Sequence, residues 1–196
     1  MARTKHMSDE ELLKIALECF LEKGHNVSAQ VIADKVGISQ PTLFKRFGTK
    51  EELFLRAVAP KERLPVVDLI EALPTSEPMQ PQIEQLLKLV WKALDEVMPM
   101  VQLLKSARIP REKVMARYKT SPPDMLIAAI VGFFERAKEQ GKVKPKTNPH
   151  HLAQLIFGIL MGKSFIDKSV SGIFHEGADT FIKSTASLLS KGILDD

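Results

Sequence analysis

The chain has 196 residues, 44% of them apolar and 27% charged, which suits one sizeable domain or a small domain joined to a larger one. Its 28 basic and 24 acidic residues leave a net charge of +4, so a polycationic surface is excluded as a means of binding nucleic acid. Any such binding would need a local basic patch.

Cysteine content and apolar runs indicate the compartment. Cys19 has no partner for an internal disulfide, and its helical neighbours Ala16 and Phe20 predict a buried thiol without a catalytic role. The N-terminal residues lack the apolar run of a secretory signal, and the longest apolar run, at 155–162, is too short to span a bilayer. We therefore expect a cytoplasmic protein with no membrane partner.

The first predicted helix begins with a capping box, because Ser8 and Glu11 have the S-x-x-E spacing. Apolar residues then recur at helical spacing until Gly24 ends the helix. We predict that this helix supports the segment that follows it.

Residues 28–50 have the spacing of two short helices joined by a tight turn, which predicts a helix-turn-helix. Ser28 can cap the first helix, and Gly37 provides the permissive backbone that ends it. Ser39 can cap the second helix, with Pro41 in the first turn, where its missing N–H removes no helical bond.

The charge pattern of this segment favours DNA as its partner. Lys35, Lys45, Arg46 and Lys50 are basic, and no acidic residue lies between the first and the last of them. The second helix of such a motif enters the major groove, where its first residues meet the base edges. Lys50 lies at the start of a third helix, predicted by a T-x-x-E capping box, whose N–H groups would also attract a phosphate.

The segments ALECFLEKG, VIADKVGIS and QPTLFKRFGTKEELF resemble the TetR family of bacterial transcriptional repressors, over residues 12–58. The resemblance implies that Gln40 and Thr42 contact base edges, and that Ser28, Lys45 and Lys50 contact phosphates. Phe44 stands where the family commonly has tyrosine, so a phenolic hydroxyl that could bind a phosphate is absent. The full set of implied DNA-binding residues is Ser28, Gln40, Pro41, Thr42, Phe44, Lys45, Phe47 and Lys50.

Lys50 either contacts a phosphate, which its place at a helix start favours, or is an ordinary solvated lysine. Two further features of this head keep two interpretations each. Phe44 and Phe47 either pack at the core of the head or, in the case of Phe44, contact a sugar or a thymine methyl group. The basic arm with Arg3 and Lys5 is either a disordered terminus or, as in the family, an arm that lies along DNA. The sequence leaves both alternatives open.

The remaining residues predict further helices and no strand. Prolines between Pro60 and Pro81 predict a broken helix followed by a loop, and Pro99 should kink the long helix that comes next. We predict an all-α fold of about nine helices, with a three-helix DNA-binding head at 1–60 and a helical effector-binding and dimerisation domain at 61–196. The helices after the loop are predicted at 82–108, 110–118, 122–140, 149–168 and 176–191.

The last two helices carry apolar stripes that are wider than one neighbouring helix would cover. The resemblance implies that they build a four-helix interface in a homodimer, while the alternative is that they pack only within one chain. The predicted interface residues are Leu152, Leu155, Ile156, Ile159, Phe181, Ile182, Thr185, Leu188 and Leu189.

Large, pliable side chains between helices suggest a ligand pocket, although each of them also suits an ordinary core. No charged residue is obviously placed inside this domain, which favours a mostly apolar ligand. The candidate pocket residues are Trp91, Met98, Met125, Phe133, Phe134, Phe157, Met161 and Phe165.

No metal site, cofactor or catalytic site is predicted. His150 and His151 are adjacent and cannot share one helical face, and His6, His25 and His175 stand alone. The sequence has no phosphate-binding loop, paired-carboxylate spacing or nucleophile motif, so an enzyme is disfavoured.

These observations and the resemblance lead to one expected function. The protein would be a homodimeric transcriptional repressor that binds a pseudo-palindromic operator in double-stranded DNA and leaves it when a small molecule binds. The alternatives are an activator or other DNA binder with the same head, and a helical interaction protein that has lost DNA binding.

Overall fold

The structure is a computed structural model that describes residues 7–59, 64–75, 78–169 and 176–194. Within these residues it contains ten α-helices and no strand, so the predicted all-α fold is confirmed, with one helix more than expected. The helices are α1 (Asp9–Lys23), α2 (Ala29–Val36), α3 (Gln40–Phe47), α4 (Lys50–Val58), α5 (Pro65–Glu71), α6 (Met79–Ser106), α7 (Arg111–Met115), α8 (Pro122–Glu139), α9 (Pro149–Ser169) and α10 (Ala178–Ile193).

The chain divides into two compact units, which we call the head unit and the body unit. The head unit comprises Met1–Glu62 and Pro99–Lys119, and the body unit comprises Arg63–Met98 and Thr120–Asp196. This division differs from the predicted boundary, because residues after Pro99 cluster with the N-terminal residues. Pro99 does not end α6, which continues to Ser106. The assignment of DNA binding and effector binding to separate domains stays a prediction.

The N-terminal part of the head unit has four helices, each in a segment that the sequence predicted to be helical, although the head was expected to be a three-helix unit. The predicted caps form: the Ser8 side chain accepts from the N–H of Glu11, whose carboxylate accepts from the N–H of Ser8. Gly37 ends α2 in the left-handed conformation, with φ 80° and ψ 30°. These caps set the lengths of the short helices and so determine where the chain turns.

Buried apolar side chains from α1 to α4 form the core of the head unit. Phe20 of α1 meets Phe54 of α4 edge to face, with ring centroids 4.8 Å apart. Cys19 is buried as predicted, and burial raises the pKa of its thiol. A buried thiol with a raised pKa is a poor nucleophile, in agreement with a packing role.

Residues 99–119, from the middle of the chain, complete this core. Leu103 joins the main apolar cluster, and Val114 packs with Leu55 and Ala59. Arg117 donates to the Glu52 carboxylate at 3.1 Å and to the Ala59 carbonyl at 3.4 Å. The sequence could not reveal these contacts, because their partners are about sixty positions apart along the chain.

The body unit is built around α8, which packs against α5 and α9. Phe133 and Phe134 of α8 are fully buried and pack edge to face, with ring centroids 5.1 Å apart. α8 therefore lies among other helices, as its apolar residues on several sides predicted. None of the described helices is long and apolar enough to cross a bilayer.

Candidate nucleic-acid interface

The recognition helix α3 is anchored through one face and exposed on the other. Leu43 is 0% exposed and Phe47 is 2% exposed, so both belong to the core of the head unit. On the outer face, Pro41 and Thr42 are exposed, as is Lys45 one turn later. A helix held in this way presents its N-terminal turn at the surface without freedom to rotate.

The cap of this helix forms as predicted. The Ser39 hydroxyl accepts a hydrogen bond from the N–H of Thr42 at 3.3 Å, and Pro41 occupies the first turn. Gln40, the first residue of the helix, is half-buried. The two predicted base-reading side chains, Gln40 and Thr42, therefore lie within the first turn of one helix.

Phe47, one of the predicted DNA-binding residues, is buried in the core of the head unit, which favours a packing role over contact with DNA. Its ring lies in the core, 5.9 Å from the Arg46 guanidinium carbon and 5.8 Å from that of Arg56. Phe44 is half-buried and packs at the edge of the same core. Burial thus decides the alternative for Phe47 in favour of packing, whereas Phe44 still has an accessible edge.

Two of the four predicted basic residues are engaged by acids of α1. Lys35 lies 3.4 Å from the carboxylate of Glu22 and 3.7 Å from that of Glu18. The Nε of Arg46 donates to Asp9 at 2.8 Å, and its guanidinium also donates to the Met7 carbonyl at 2.9 Å. These pairings reduce the charge that Lys35 and Arg46 offer to a phosphate.

Lys45 and Lys50 differ from this pair, because neither has an acidic partner among the residues that the structure describes. The two acids beside Lys50 are themselves neutralised: Glu51 binds Lys113, and Glu52 binds Arg56 and Arg117. Hydrogen bonds from Arg56 and then Arg117 lower the pKa of Glu52 despite its partial burial.

The start of α4 is therefore a local positive site. Thr49 caps α4 by accepting from the N–H of Glu52 at 3.1 Å, while the Glu52 carboxylate turns to the arginines instead of completing a capping box. Ser28, at the start of α2, is exposed, and its hydroxyl accepts from the N–H of Val31 at 3.3 Å. Ser28 and Lys50 thus stand at helix N-termini, which attract phosphates.

The structure does not bring the eight candidate pocket residues together around one cavity. Phe133 and Phe134 are sealed in the core, Met98 is buried, and Met161 and Phe165 are exposed on α9. A cavity of about 150 Å³ lies between α5 and α6, lined mostly by aliphatic side chains that are not in the candidate set. Trp91, Met125 and Phe157 are half-buried against the main core. The predicted pocket therefore lacks support from the packing.

A buried lysine, paired with a partly exposed aspartate, contradicts the expectation that no charged residue lies inside the body unit. Lys163 of α9 is 3% exposed, and its Nζ donates to Asp167 at 2.7 and 2.5 Å. Its Nζ also lies 5.7 Å from the ring centroid of Phe181. The sequence argument for a mostly apolar ligand rested on the absence of such a charge, so it loses its basis.

The predicted interface residues separate into two groups. Leu152, Ile156 and Ile182 are buried in the core of their own chain, which argues against contacts with a second chain. Leu155 and Leu188 remain exposed, at 48% and 72%. Ile159, Phe181, Thr185 and Leu189 are half-buried.

The histidines have local structural roles where the structure describes them. The backbone N–H groups of His150 and His151 donate to the Asn148 side chain at 2.9 and 3.3 Å, and the His25 ring packs near Phe54. Within the described residues, no group of three or more metal-binding side chains could hold an ion. His6 and His175 lie outside the described residues, as do Arg3 and Lys5 of the predicted arm.

Residues 12–57 match the family model for the tetR family of bacterial regulatory proteins. The matched residues include the whole helix-turn-helix of this chain. The matched segment covers α1 from Leu12 onwards, all of α2 and α3, and α4 except Val58. The family consists of transcriptional regulators, which agrees with the prediction of a regulator in place of an enzyme.

Proteins similar over most of the chain carry the same description. The uncharacterized HTH-type transcriptional regulator YezE of Bacillus subtilis is 28% identical over 174 residues, which is 86% of this chain and 90% of YezE. A TetR-family transcriptional regulator from Pseudomonas syringae shares the fold with a TM-score of 0.64 and 16% identity, over 97% of this chain and 100% of that one.

The fold is also similar to that of NalD, the secondary repressor of the MexAB-OprM multidrug efflux pump in Pseudomonas aeruginosa. The TM-score is 0.57 at 23% identity, over 94% of each chain. Together these likenesses support a TetR-like DNA-binding regulator.

Proposed function

We propose that the protein is a homodimeric transcriptional repressor that binds a pseudo-palindromic operator through α3 and is released by a small molecule. The observation that carries this proposal is the exposed, capped first turn of α3, held by buried Leu43 and Phe47. It is flanked by Lys45 and Lys50, which have no acidic partner among the described residues. Such a regulator acts in the cytoplasm, where its operator lies.

In this proposal each residue has a chemical role. Gln40 and Thr42 meet base edges, while Ser28, Lys45 and Lys50 contact phosphates. A homodimer would place its two copies of α3 in successive major grooves, about 34 to 36 Å apart. Accessible side chains at the N-termini of α2, α3 and α4 support these roles.

The exposed apolar side chains of the last two helices support the homodimer. Leu188 on α10 and Leu155, Met161 and Phe165 on α9 remain accessible in the single chain. Large exposed apolar side chains on neighbouring helices are typical of a surface that another chain covers. A second copy of the chain, related by a two-fold axis, would bury them.

The effector is a small molecule that binds the body unit more tightly in a form that does not fit the operator. Such differential affinity is the only means by which a ligand can shift the equilibrium away from DNA. The cavity between α5 and α6 gives one place to test for it. A repressor of similar fold, NalD, supports the direction of regulation.

Selection from random duplex DNA tests the proposed recognition. The full chain should enrich one pseudo-palindromic sequence at physiological salt, and the Gln40→Ala variant should change the preferred base at one position of each half-site. Gln85→Ala, at an exposed glutamine of the body unit, is the matched control and should select the wild-type sequence. Enrichment of no sequence, or uniform coating of all duplexes, would contradict a sequence-specific regulator.

Sedimentation tests the homodimer. The wild-type chain should sediment as a dimer, and Leu188→Glu should shift it towards monomer and weaken operator binding. Leu69→Glu changes another leucine that is exposed, at 55%, in the body unit, and should leave the dimer intact. A wild-type monomer, or equal dissociation by both substitutions, would refute the proposed interface.

A further inference from the structure

Two hydroxyl groups form a bonded pair at the exposed end of α3. The Ser39 Oγ and the Thr42 Oγ1 lie 2.7 Å apart, and the Ser39 Oγ also accepts the N–H of Thr42 at 3.3 Å. Both residues are exposed. The Thr42 hydroxyl is therefore hydrogen-bonded to Ser39, the N-cap residue of α3, while the γ-methyl group of Thr42 takes no part in the bond.

This bond restricts the orientation of Thr42. In a helix, threonine divides between two χ1 rotamers, unlike valine, which strongly prefers one. A hydroxyl bonded to Ser39 selects the rotamer that permits the bond. The direction of the γ-methyl group is then determined as well, because both substituents are attached to the same β-carbon.

The occupied hydroxyl also changes what Thr42 can gain in a major groove. A hydroxyl that already bonds Ser39 has only part of its donor and acceptor capacity left, and a hydrogen bond to a base brings only a modest net benefit. The methyl group has no bond to give up, and apolar contact with it is favourable. Thymine is the base that presents a methyl group in the major groove, and threonine methyl groups are suited to contact it.

We propose that Thr42 recognises the 5-methyl group of a thymine in each operator half-site, and that Ser39 is the residue that positions it. This inference rests on the proposed function, since it assumes that α3 enters the major groove. It adds the chemistry of the contact. The γ-methyl group of Thr42 contacts the thymine methyl group, while the Thr42 hydroxyl stays hydrogen-bonded to Ser39.

The test replaces each thymine of the selected operator with deoxyuridine, which removes only the 5-methyl group. At one position per half-site, the substitution should weaken wild-type binding about fourfold per contact, the factor that corresponds to burial of one methyl group. Thr42→Ser keeps the hydroxyl and lacks the methyl, so it should bind both duplexes equally at that position. Thr42→Val keeps a methyl and should remain sensitive.

Ser39 is tested by the same comparison. Ser39→Gly removes the hydroxyl at a small cost to the cap, because glycine is tolerated there. It should reduce the effect of deoxyuridine to about twofold, as Thr42 regains its second rotamer. Ser39→Thr retains a hydroxyl and should restore the wild-type ratio. A merely structural cap would lower the affinity for both duplexes equally and leave the ratio unchanged.

Phe44 provides the competing explanation, because it is half-buried and has an accessible edge. If Phe44→Leu abolishes the sensitivity to deoxyuridine while Thr42→Ser retains it, the inference is overturned. It is also overturned if no thymine position responds although the operator binds tightly. Failure to obtain any operator would instead refute the proposed function, so the two failures are distinguishable.

Discussion

The unequal environments of the head lysines lead to a quantitative prediction about salt. Lys50 has no acidic partner among the described residues, whereas Lys35 pairs with Glu22 and Glu18. A cation that binds a phosphate releases a counterion, and each one contributes about 0.9 to the slope of log K against log salt concentration. In a dimer, Lys50→Ala should therefore lower the magnitude of the slope by about 1.8.

The size of this effect is large enough to measure. Between 50 and 200 mM salt, a slope difference of about 1.8 corresponds to about a twelvefold difference in lost affinity. Fluorescence anisotropy with a labelled operator, titrated at four or five salt concentrations, gives the slope directly. Lys45→Ala should have a similar effect, since Lys45 is exposed and has no acidic partner in the described part of the chain.

Lys35→Ala is the matched control, because it removes the same side chain from the same head. The charge of Lys35 is already paired with acids of α1. The slope of log K against log salt concentration for Lys35→Ala should therefore stay within about 0.5 of the wild-type slope. A reduction by Lys35→Ala equal to that of Lys50→Ala would refute the reasoning. It would mean that the ion pairs of the free protein do not determine which cations reach the phosphates.

Three further predictions concern stability, and each is measured by urea unfolding. Phe47→Ala should destabilise the head by about 3 to 5 kcal/mol, because it empties a buried site, while Phe44→Ala at a half-buried site should cost clearly less. Ser164 is buried with no hydrogen-bond partner for its hydroxyl in the described residues, so Ser164→Ala should raise stability by about 1 kcal/mol. Ser190→Ala should not raise stability, because the buried Ser190 hydroxyl donates a hydrogen bond to the Ala186 carbonyl at 2.7 Å. The lowered pKa of Glu52 stabilises the fold above the pKa of the unfolded carboxyl, and this is lost as the pH falls through the folded value. Wild type should therefore lose more stability between pH 6 and pH 3 than Glu52→Gln does; equal losses would exclude this linkage.

The candidate site was predictable where its signals are local. Ser39, Pro41 and the turn glycine Gly37 act within one helix turn of the residues they influence, and all take their predicted places. The exposure of Thr42 follows from the same periodicity that buries Leu43. Such features can be predicted from a short segment without reference to the rest of the chain.

The basic face was only half predictable. By sequence, Lys35 and Arg46 are equivalent to Lys45 and Lys50, because no acidic residue lies between Lys35 and Lys50. Asp9 is 37 positions from Arg46, and Glu22 is 13 positions from Lys35. Only the packing of α1 against the helix-turn-helix brings these acids to the two cations.

The body unit shows the same limit. The periodicity of α9 predicted an apolar stripe, yet it could not say which of its residues face the chain's own core, and so Leu152 and Ile156 were assigned to an interface. Lys163 lies on that buried side, where Asp167 one turn later offsets its charge. Burial depends on which helices pack against a given face. The periodicity of a single helix carries no information about those neighbours.

The amino-acid sequence by itself determined the helices, their caps and the TetR-type head, because hydrogen bonds between near neighbours and apolar spacing are properties of short segments. The tertiary structure alone decided which lysines keep their charge available, that Phe47 is a core residue, and that residues 99–119 complete the head. The physical reason is that charge pairing and burial are set by partners distant in sequence, whose positions exist only once the helices have packed.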